Sequence, residues 1–277
     1  MKQTISIALC QIKVTPDKEM NLEKALNFIA AAAKVNADIA VLPEIFNAPY
    51  QPDIFYQYAE PYPGPSTDIM ARAAKQYKIA VAAGSIIEKD EDLLYNSSYF
   101  FDCQGQLLAR HRKTHLFDVD MPGQISFKES STLTAGNGIT LFEYKNIKFG
   151  LMVCYDCRFP ELARILALEG AQVIIMPGNF NLTSGPLFWE LILRARAVDN
   201  QVYMVAVSAA RNEKPSYQSW GHSLVVNPWG NILVEADEKE AMLLQTIDIS
   251  EIARVREEMP LLKHRRTDLY ELKYKTP

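Results

Sequence analysis

Short apolar, β-branched runs alternate with stretches of helical periodicity along almost the whole chain, and this rhythm constrains the fold more than any other feature. A strand presents a face every second residue and a helix every third or fourth, so their alternation builds sheets with helices laid against them. The runs at 4–11, 38–42, 79–87, 93–103, 106–111, 139–144, 148–153, 171–176, 202–209, 221–227, 232–235 and 241–248 read as strands. Between them, 21–34 repeats Leu22, Ala25, Ile29 and Ala32 at helical spacing, and 160–168 starts at a helix-compatible proline and stops before Gly170. Further helices are predicted over 66–77, 187–199 and 250–258. Helix then 37–44 and helix then 79–85 are echoed by helix then 171–179 and helix then 202–209. This two-fold rhythm, too long in period for a solenoid, favours an α/β fold of two packed sheets with helices outside.

No composition shift or linker divides the 277 residues, which read as a single domain, 1–277. Hydrophobic residues at 48% and charged residues at 22% are the balance of a globular protein that buries a sizeable core. The formal charge of −4 comes from interspersed acids and bases, so no sustained field faces nucleic acid or an anionic membrane, and a small-molecule partner is expected. The first apolar run is too short for a signal peptide, and no later stretch approaches a membrane span; a cytoplasmic protein is expected. Cysteines at 10, 103, 154 and 157 are too sparse for a disulfide framework and read as reduced thiols.

The segment 148–164, Lys-Phe-Gly-Leu-Met-Val-Cys-Tyr-Asp-Cys-Arg-Phe-Pro-Glu-Leu-Ala-Arg, delivers Cys154 to the point where a helix begins. Helix N-terminal N–H groups and a nearby cation would favour thiolate over thiol there, and the thiolate is the nucleophile. The Cys154/Cys157 spacing also spells C-x-x-C. A redox pair is disfavoured by Arg158 and Pro160 crowding it. Zinc held by Cys154, Cys157, His111 and His115 is disfavoured because a second C-x-x-C is absent and Arg112 and Lys113 stand between the histidines. A buried core cysteine is the plain alternative. No G-x-S-x-G, P-loop or G-x-G-x-x-G occurs, which leaves hydrolysis without a cofactor or metal. Charged residues stand at other strand ends: Glu44 after 39–43, Lys113 after 107–112, and Glu129 in the loop beyond. The long links 48–65 and 115–135, rich in aromatics, Pro and Gly, are expected to be loops that wall the site.

Leu42-Pro43-Glu44, the run Arg112-Lys113-Thr114-His115-Leu116, and 153–161 resemble, in order, the three signature regions of the nitrilase, or carbon–nitrogen hydrolase, superfamily. The resemblance runs almost end to end and implies a four-layer α-β-β-α sandwich with a Glu-Lys-Cys triad. Carried onto this chain, it implies Cys154 as nucleophile, Glu44 as general base and acid, Lys113 as electrostatic stabiliser and Glu129 as a second, positioning glutamate. The Lys113 ammonium and the Tyr155 backbone N–H would hold the oxyanion. Burial beside a second carboxylate would raise the Glu44 pKa and Lys113 would lower it, a balance left open at this level.

The runs 115–123, 180–186, 189–190 and 194–201 resemble the omega-amidase branch, whose members hydrolyse the terminal amides of α-ketoglutaramate and α-ketosuccinamate. That resemblance implies Arg158 as partner of a substrate carboxylate, Thr183 as a hydroxyl donor, and Tyr50, Phe117, Tyr155 and Phe180 around the substrate. Arg158 could instead pair with Asp156 or Glu161. Asn179 stands where that branch tends to carry a small residue. A deaminated-glutathione amidase, a nitrilase and an N-carbamoyl hydrolase would use the same triad, and an idle binding module would keep the same fold. The family implies a homodimer formed through a helical face, with higher oligomers open.

Overall fold

The computed structural model describes residues 3–123, 125–213 and 217–275. The chain begins with β1 (Thr4–Gln11), α1 (Lys18–Lys34), β2 (Ile39–Val41), a single-turn helix α2 (Phe55–Tyr58), α3 (Pro65–Tyr77), β3 (Ala80–Asp90), β4 (Leu93–Phe101) and β5 (Leu107–Arg112). A small hairpin follows, β6 (Asp118–Met121) with β7 (Ile125–Lys128). Then come β8 (Thr140–Tyr144), β9 (Ile147–Leu151), α4 (Pro160–Leu168), β10 (Val173–Gly178), α5 (Gly185–Asn200) and β11 (Tyr203–Ser208). The chain continues through β12 (Leu224–Val226), β13 (Ile232–Glu235), β14 (Ala241–Asp248) and α6 (Ser250–Glu258).

Two six-stranded sheets result, ordered β14-β1-β2-β3-β4-β5 and β13-β12-β11-β10-β9-β8. The centre of each is parallel, β1-β2-β3 in one and β9-β10-β11 in the other, and the outer strands are antiparallel. Strands such as β2 and β10 are covered on both faces, which is why they read as unbroken apolar runs. The sheets face each other across a core that includes Leu9, Val41, Phe100, Phe142, Phe149 and Val205, with the Phe100 and Phe142 rings 4.3 Å apart. On one outer face α1 and α3 seal a second core around Ile29, Met70 and Tyr99; on the other, α4 and α5 seal a third around Leu166, Trp189 and Leu193. These four layers, helix on sheet on sheet on helix, are the architecture implied by the family resemblance.

Local chemistry sets the differences from the sequence reading. α1 starts ahead of its apolar repeat because the Asp17 carboxylate accepts from the Met20 N–H at 2.9 Å and caps it. The strand predicted over 221–227 is confined to Leu224–Val226, since Gly221 and His222 adopt φ of +79° and +61° and cannot extend a ladder. The link 115–135 contains the β6–β7 hairpin, and 48–65 contains α2. No helix among the described residues is long and apolar enough to cross a membrane.

β5 runs antiparallel to β4 and β4 antiparallel to β3, so β5 points the same way as the parallel centre of its sheet. The loops after β2, β5, β9 and β10 leave from the carboxyl ends of their strands, the place where open α/β sheets put their ligands.

Candidate active site

Glu44 follows β2 directly through Leu42 and Pro43 and is held by neighbouring backbone: Leu42 N–H donates to the Ala82 carbonyl and Ile45 N–H to Ser85 Oγ. Gly84, at φ +25°, is what allows this approach, because a Cβ there would run into the Pro43 carbonyl. Lys113 leaves the end of β5 with its N–H on the Asn96 carbonyl and its own carbonyl receiving Gly136 N–H. Glu129 leaves the end of β7.

These three side chains are completely buried and bonded to one another. Lys113 Nζ donates to Glu44 Oε1 at 3.0 Å, to Glu129 Oε2 at 2.8 Å and to Tyr50 Oη at 3.2 Å. Asn96 Nδ2 donates to Glu44 Oε1 at 2.8 Å and to Glu129 Oε1 at 3.1 Å, and Phe117 N–H donates to Glu129 Oε2 at 2.7 Å. Glu44 Oε2 has no hydrogen-bond partner among the described residues.

Cys154, 5% exposed, opens a 3-10 turn, Cys154–Arg158, with φ of +47°. Burial pushes its thiol well above the ordinary cysteine value; the Glu44 charge adds to that, and Lys113 offsets only part. Burial also raises Glu44: Lys113 works against it, the charge of Glu129 reinforces it, and the net direction is up. Burial would lower Lys113, but Glu129 and Glu44 outweigh it and hold the ammonium firmly protonated. Burial and the neighbouring Glu44 charge therefore favour the neutral thiol at Cys154. This corrects the expectation of a resting thiolate at a helix start: the element at Cys154 is a short 3-10 turn, and α4 begins only at Pro160.

A tight cavity over Cys154 is lined by Phe117, Tyr155, Arg158, Asn179, Phe180, Ser184 and Tyr217. The Arg158 guanidinium lies 4.1 Å from the Phe188 ring centroid and forms no ion pair among the described residues. Neither Asp156 nor Glu161 takes it. Thr183 does not line this cavity. Asn181 Oδ1 accepts from Thr183 N–H, Ser184 N–H and Ser184 Oγ, a local cap that presents Ser184 there instead. Tyr50 is not in the cavity wall either; it touches Lys113 and Glu129, stacks on Phe127, and lines an adjoining groove of about 380 Å³. Asn179 and Tyr217 line both spaces, and Tyr217 Oη donates to the Asn179 carbonyl.

The sequence reading missed Asn96, which bonds both carboxylates, and Tyr217, neither of which lies in a motif, and it passed over Ser184, which lies within the run 180–186, in favour of Thr183. Among the described residues no three His, Cys, Asp or Glu side chains are arranged to hold a metal ion, and His111 and His115, which a zinc site would need, both bond Asp156.

Comparison with known proteins agrees with this geometry. The carbon-nitrogen hydrolase family model matches residues 6–257. The omega-amidase NIT2 of Mus musculus is 47% identical over 274 residues, covering 99% of each chain, and that of Homo sapiens is 46% identical over 98% of each. The crystal structure of Saccharomyces cerevisiae Nit3, a member of branch 10 of the nitrilase superfamily, superposes with a TM-score of 0.87 at 41% identity, covering 95% of this chain and 97% of that one. With its three motifs, its paired sheets and its full-length relatives in agreement, this chain belongs to the carbon-nitrogen hydrolase family of the nitrilase superfamily.

Proposed function

We propose that the protein is an omega-amidase: a thiol hydrolase that cleaves the terminal amide of 2-oxo dicarboxylic acid monoamides, α-ketoglutaramate and α-ketosuccinamate, to the acid and ammonia. The observation that carries this reading is full-length identity of 46–47% to omega-amidases. The buried cluster of Glu44, Lys113 and Glu129 beside Cys154 supports the chemistry.

Glu44 Oε2, the carboxylate oxygen with no other partner, takes the thiol proton as Sγ attacks the amide carbon. The carbonyl oxygen gains negative charge, which the Lys113 ammonium and the Tyr155 N–H stabilise. That N–H lies in the first positions of a helical turn, where donors lack intrahelical partners. Glu44 then returns its proton to the departing nitrogen, ammonia leaves, and a thioester remains on Cys154. Water, deprotonated by Glu44, attacks the thioester; the acid is released and the thiol is restored. Glu129 holds Lys113 from the other side, so the ammonium stays charged and aimed. Arg158 lines the same cavity, its guanidinium stacked on Phe188 and without an ion-pair partner among the described residues, and it suits the distal carboxylate of the substrate. We further read the enzyme as a cytoplasmic homodimer, its four cysteines all free and two copies joined through α5.

The test is ammonia release from α-ketoglutaramate, measured beside deaminated glutathione, an aliphatic nitrile and an N-carbamoyl amino acid, with Cys154→Ala as the blank. Preferential turnover of α-ketoglutaramate is expected. Preference for another compound would keep the chemistry and overturn the substrate.

A further inference from the structure

Asp156 stands two residues beyond Cys154, is fully buried, and takes no part in the steps above, yet its carboxylate receives five hydrogen bonds. Oδ1 accepts from Thr114 Oγ1 at 2.7 Å, from His115 N–H at 2.9 Å and from His115 Nδ1 at 2.8 Å. Oδ2 accepts from Val153 N–H at 3.0 Å and His111 Nε2 at 3.1 Å. The donors come from both sheets. His111, Thr114 and His115 flank Lys113 at the end of β5, whereas Val153 precedes Cys154 after β9. His111 is tied a second time to the other sheet, its Nδ1 3.1 Å from Thr140 Oγ1 on β8, and the His115 ring stacks on Phe159, at 3.7 Å between centroids.

We propose that Asp156 is a positioning residue: held by His111 and His115, it locks the Cys154 turn against the Lys113 segment and so sets the distance between nucleophile and stabilising cation. The proposal rests on the reading of Cys154 and Lys113 as the reacting groups. Two arguments support it. Cys154 has a positive φ, a conformation that a non-glycine residue keeps only where its surroundings over-determine it, and the Asp156 bond to Val153 N–H fixes the peptide just before it. Every group around Asp156 is presented as a donor, so only an ionised, acceptor-only side chain satisfies them all. Burial would raise its pKa, but the bonds from His111 and His115 outweigh that and hold the carboxyl well below the usual carboxylate range.

The experiment compares Asp156→Asn, His115→Phe and His115→Asn with the wild-type enzyme in kcat, KM, Tm and the rate of Cys154 alkylation by iodoacetamide. Asparagine at 156 keeps the shape but turns an NH₂ toward donors. The expected result is a fall in kcat of about a hundredfold with KM within about twofold, because displacement of a reacting group acts on the chemical step. Phenylalanine at 115 keeps the stack on Phe159 and deletes the donor, whereas asparagine keeps a donor close to the Nδ1 position. His115→Asn is therefore expected to recover most of the kcat lost in His115→Phe. Unchanged kcat in a folded Asp156→Asn protein, a loss matched by the unfolded fraction, or equal activity of the two His115 variants would overturn the clamp. If Asp156→Asn does not fold, the His115 pair decides. Alkylation separates this idea from the substrate assignment: the clamp predicts slower Cys154 alkylation in Asp156→Asn and His115→Phe, whichever amide the enzyme prefers.

Discussion

Cys154 and Glu44, the partners in the proposed first proton transfer, both hold their protons more tightly in the fold than in water, and on that proposal this fixes how the site responds to pH. As the proposed base, Glu44 would act only when ionised, and its pKa is raised above the ordinary 4.5. kcat/KM should therefore rise with pH along an acid limb centred above 4.5; a limb at or below 4.5 in the pH profile would contradict the assignment. The same shift has a sign in stability. A carboxyl with a raised folded pKa binds a proton more readily folded than unfolded, so its contribution is present at low pH and is lost as pH rises through the folded value. Glu44→Gln, a neutral mimic, is expected to be inactive yet to melt at or above the wild-type temperature at pH 8, by differential scanning calorimetry. A lower Tm would show that the Lys113 ion pair outweighs burial. Lys113→Ala should lose activity too but, unlike Glu44→Gln, should lose stability with it. It leaves two buried carboxylates without their cation, costing about 3–5 kcal/mol of stability, and removes an oxyanion donor, costing about a hundredfold to a thousandfold in kcat. Glu44, Lys113 and Cys154 were legible because each closes a strand within a local motif. Asn96 and Tyr217 were not, because their roles arise from contacts with residues distant in the chain.

At the scale of elements, β3 does more for the site than its apolar sequence suggests. Gly84 lets β3 pass beside the Pro43 carbonyl, and Glu44 is the next residue. Gly84→Ala would add a Cβ in a left-handed conformation against backbone that cannot give way. It is expected to destabilise the fold by about 2 kcal/mol and to lower kcat as Glu44 shifts. Urea unfolding checks the first part, and an unchanged midpoint would refute it. Such a role is invisible in the sequence, where Gly84 is one small residue inside a strand. The central parallel strands were legible because burial on both faces writes unbroken apolar runs. The β6–β7 hairpin was not, because it is largely exposed: residues 118–121 and 125–128 carry short, polar-rich stretches that no core selects. Yet β7 ends at Glu129, so a weakly written element delivers a buried side chain to the site.

At the scale of the whole molecule, α5 is apolar on two sides. α5 buries Trp189, Leu193 and Ala197 against its own sheet, while Leu187 and Leu191, 57% and 66% exposed, and Val198 form a stripe on its outer side next to Trp229. A surface helix normally shows one apolar face, and a contiguous exposed one marks an interaction surface. A second copy of the chain, related by a two-fold axis, is the proposed occupant, with the exposed Arg194–Glu190 pair at the rim. The inner side of the same helix holds the nucleophile turn, since Arg196 donates to the Cys157 carbonyl at 2.8 Å and to the Arg158 carbonyl at 3.1 Å. The proposed interface and the Cys154 turn would therefore share one element, α5. Leu187→Asp/Leu191→Asp is expected to convert a dimer to a monomer in multi-angle light scattering and, because α5 loses its outer support while still bearing on Cys157 and Arg158, to lower kcat. A wild-type protein that runs as a monomer at micromolar concentration would overturn the interface. A monomeric variant with undiminished kcat would instead show that the sheets alone hold α5, and the Cys154 turn with it, in place.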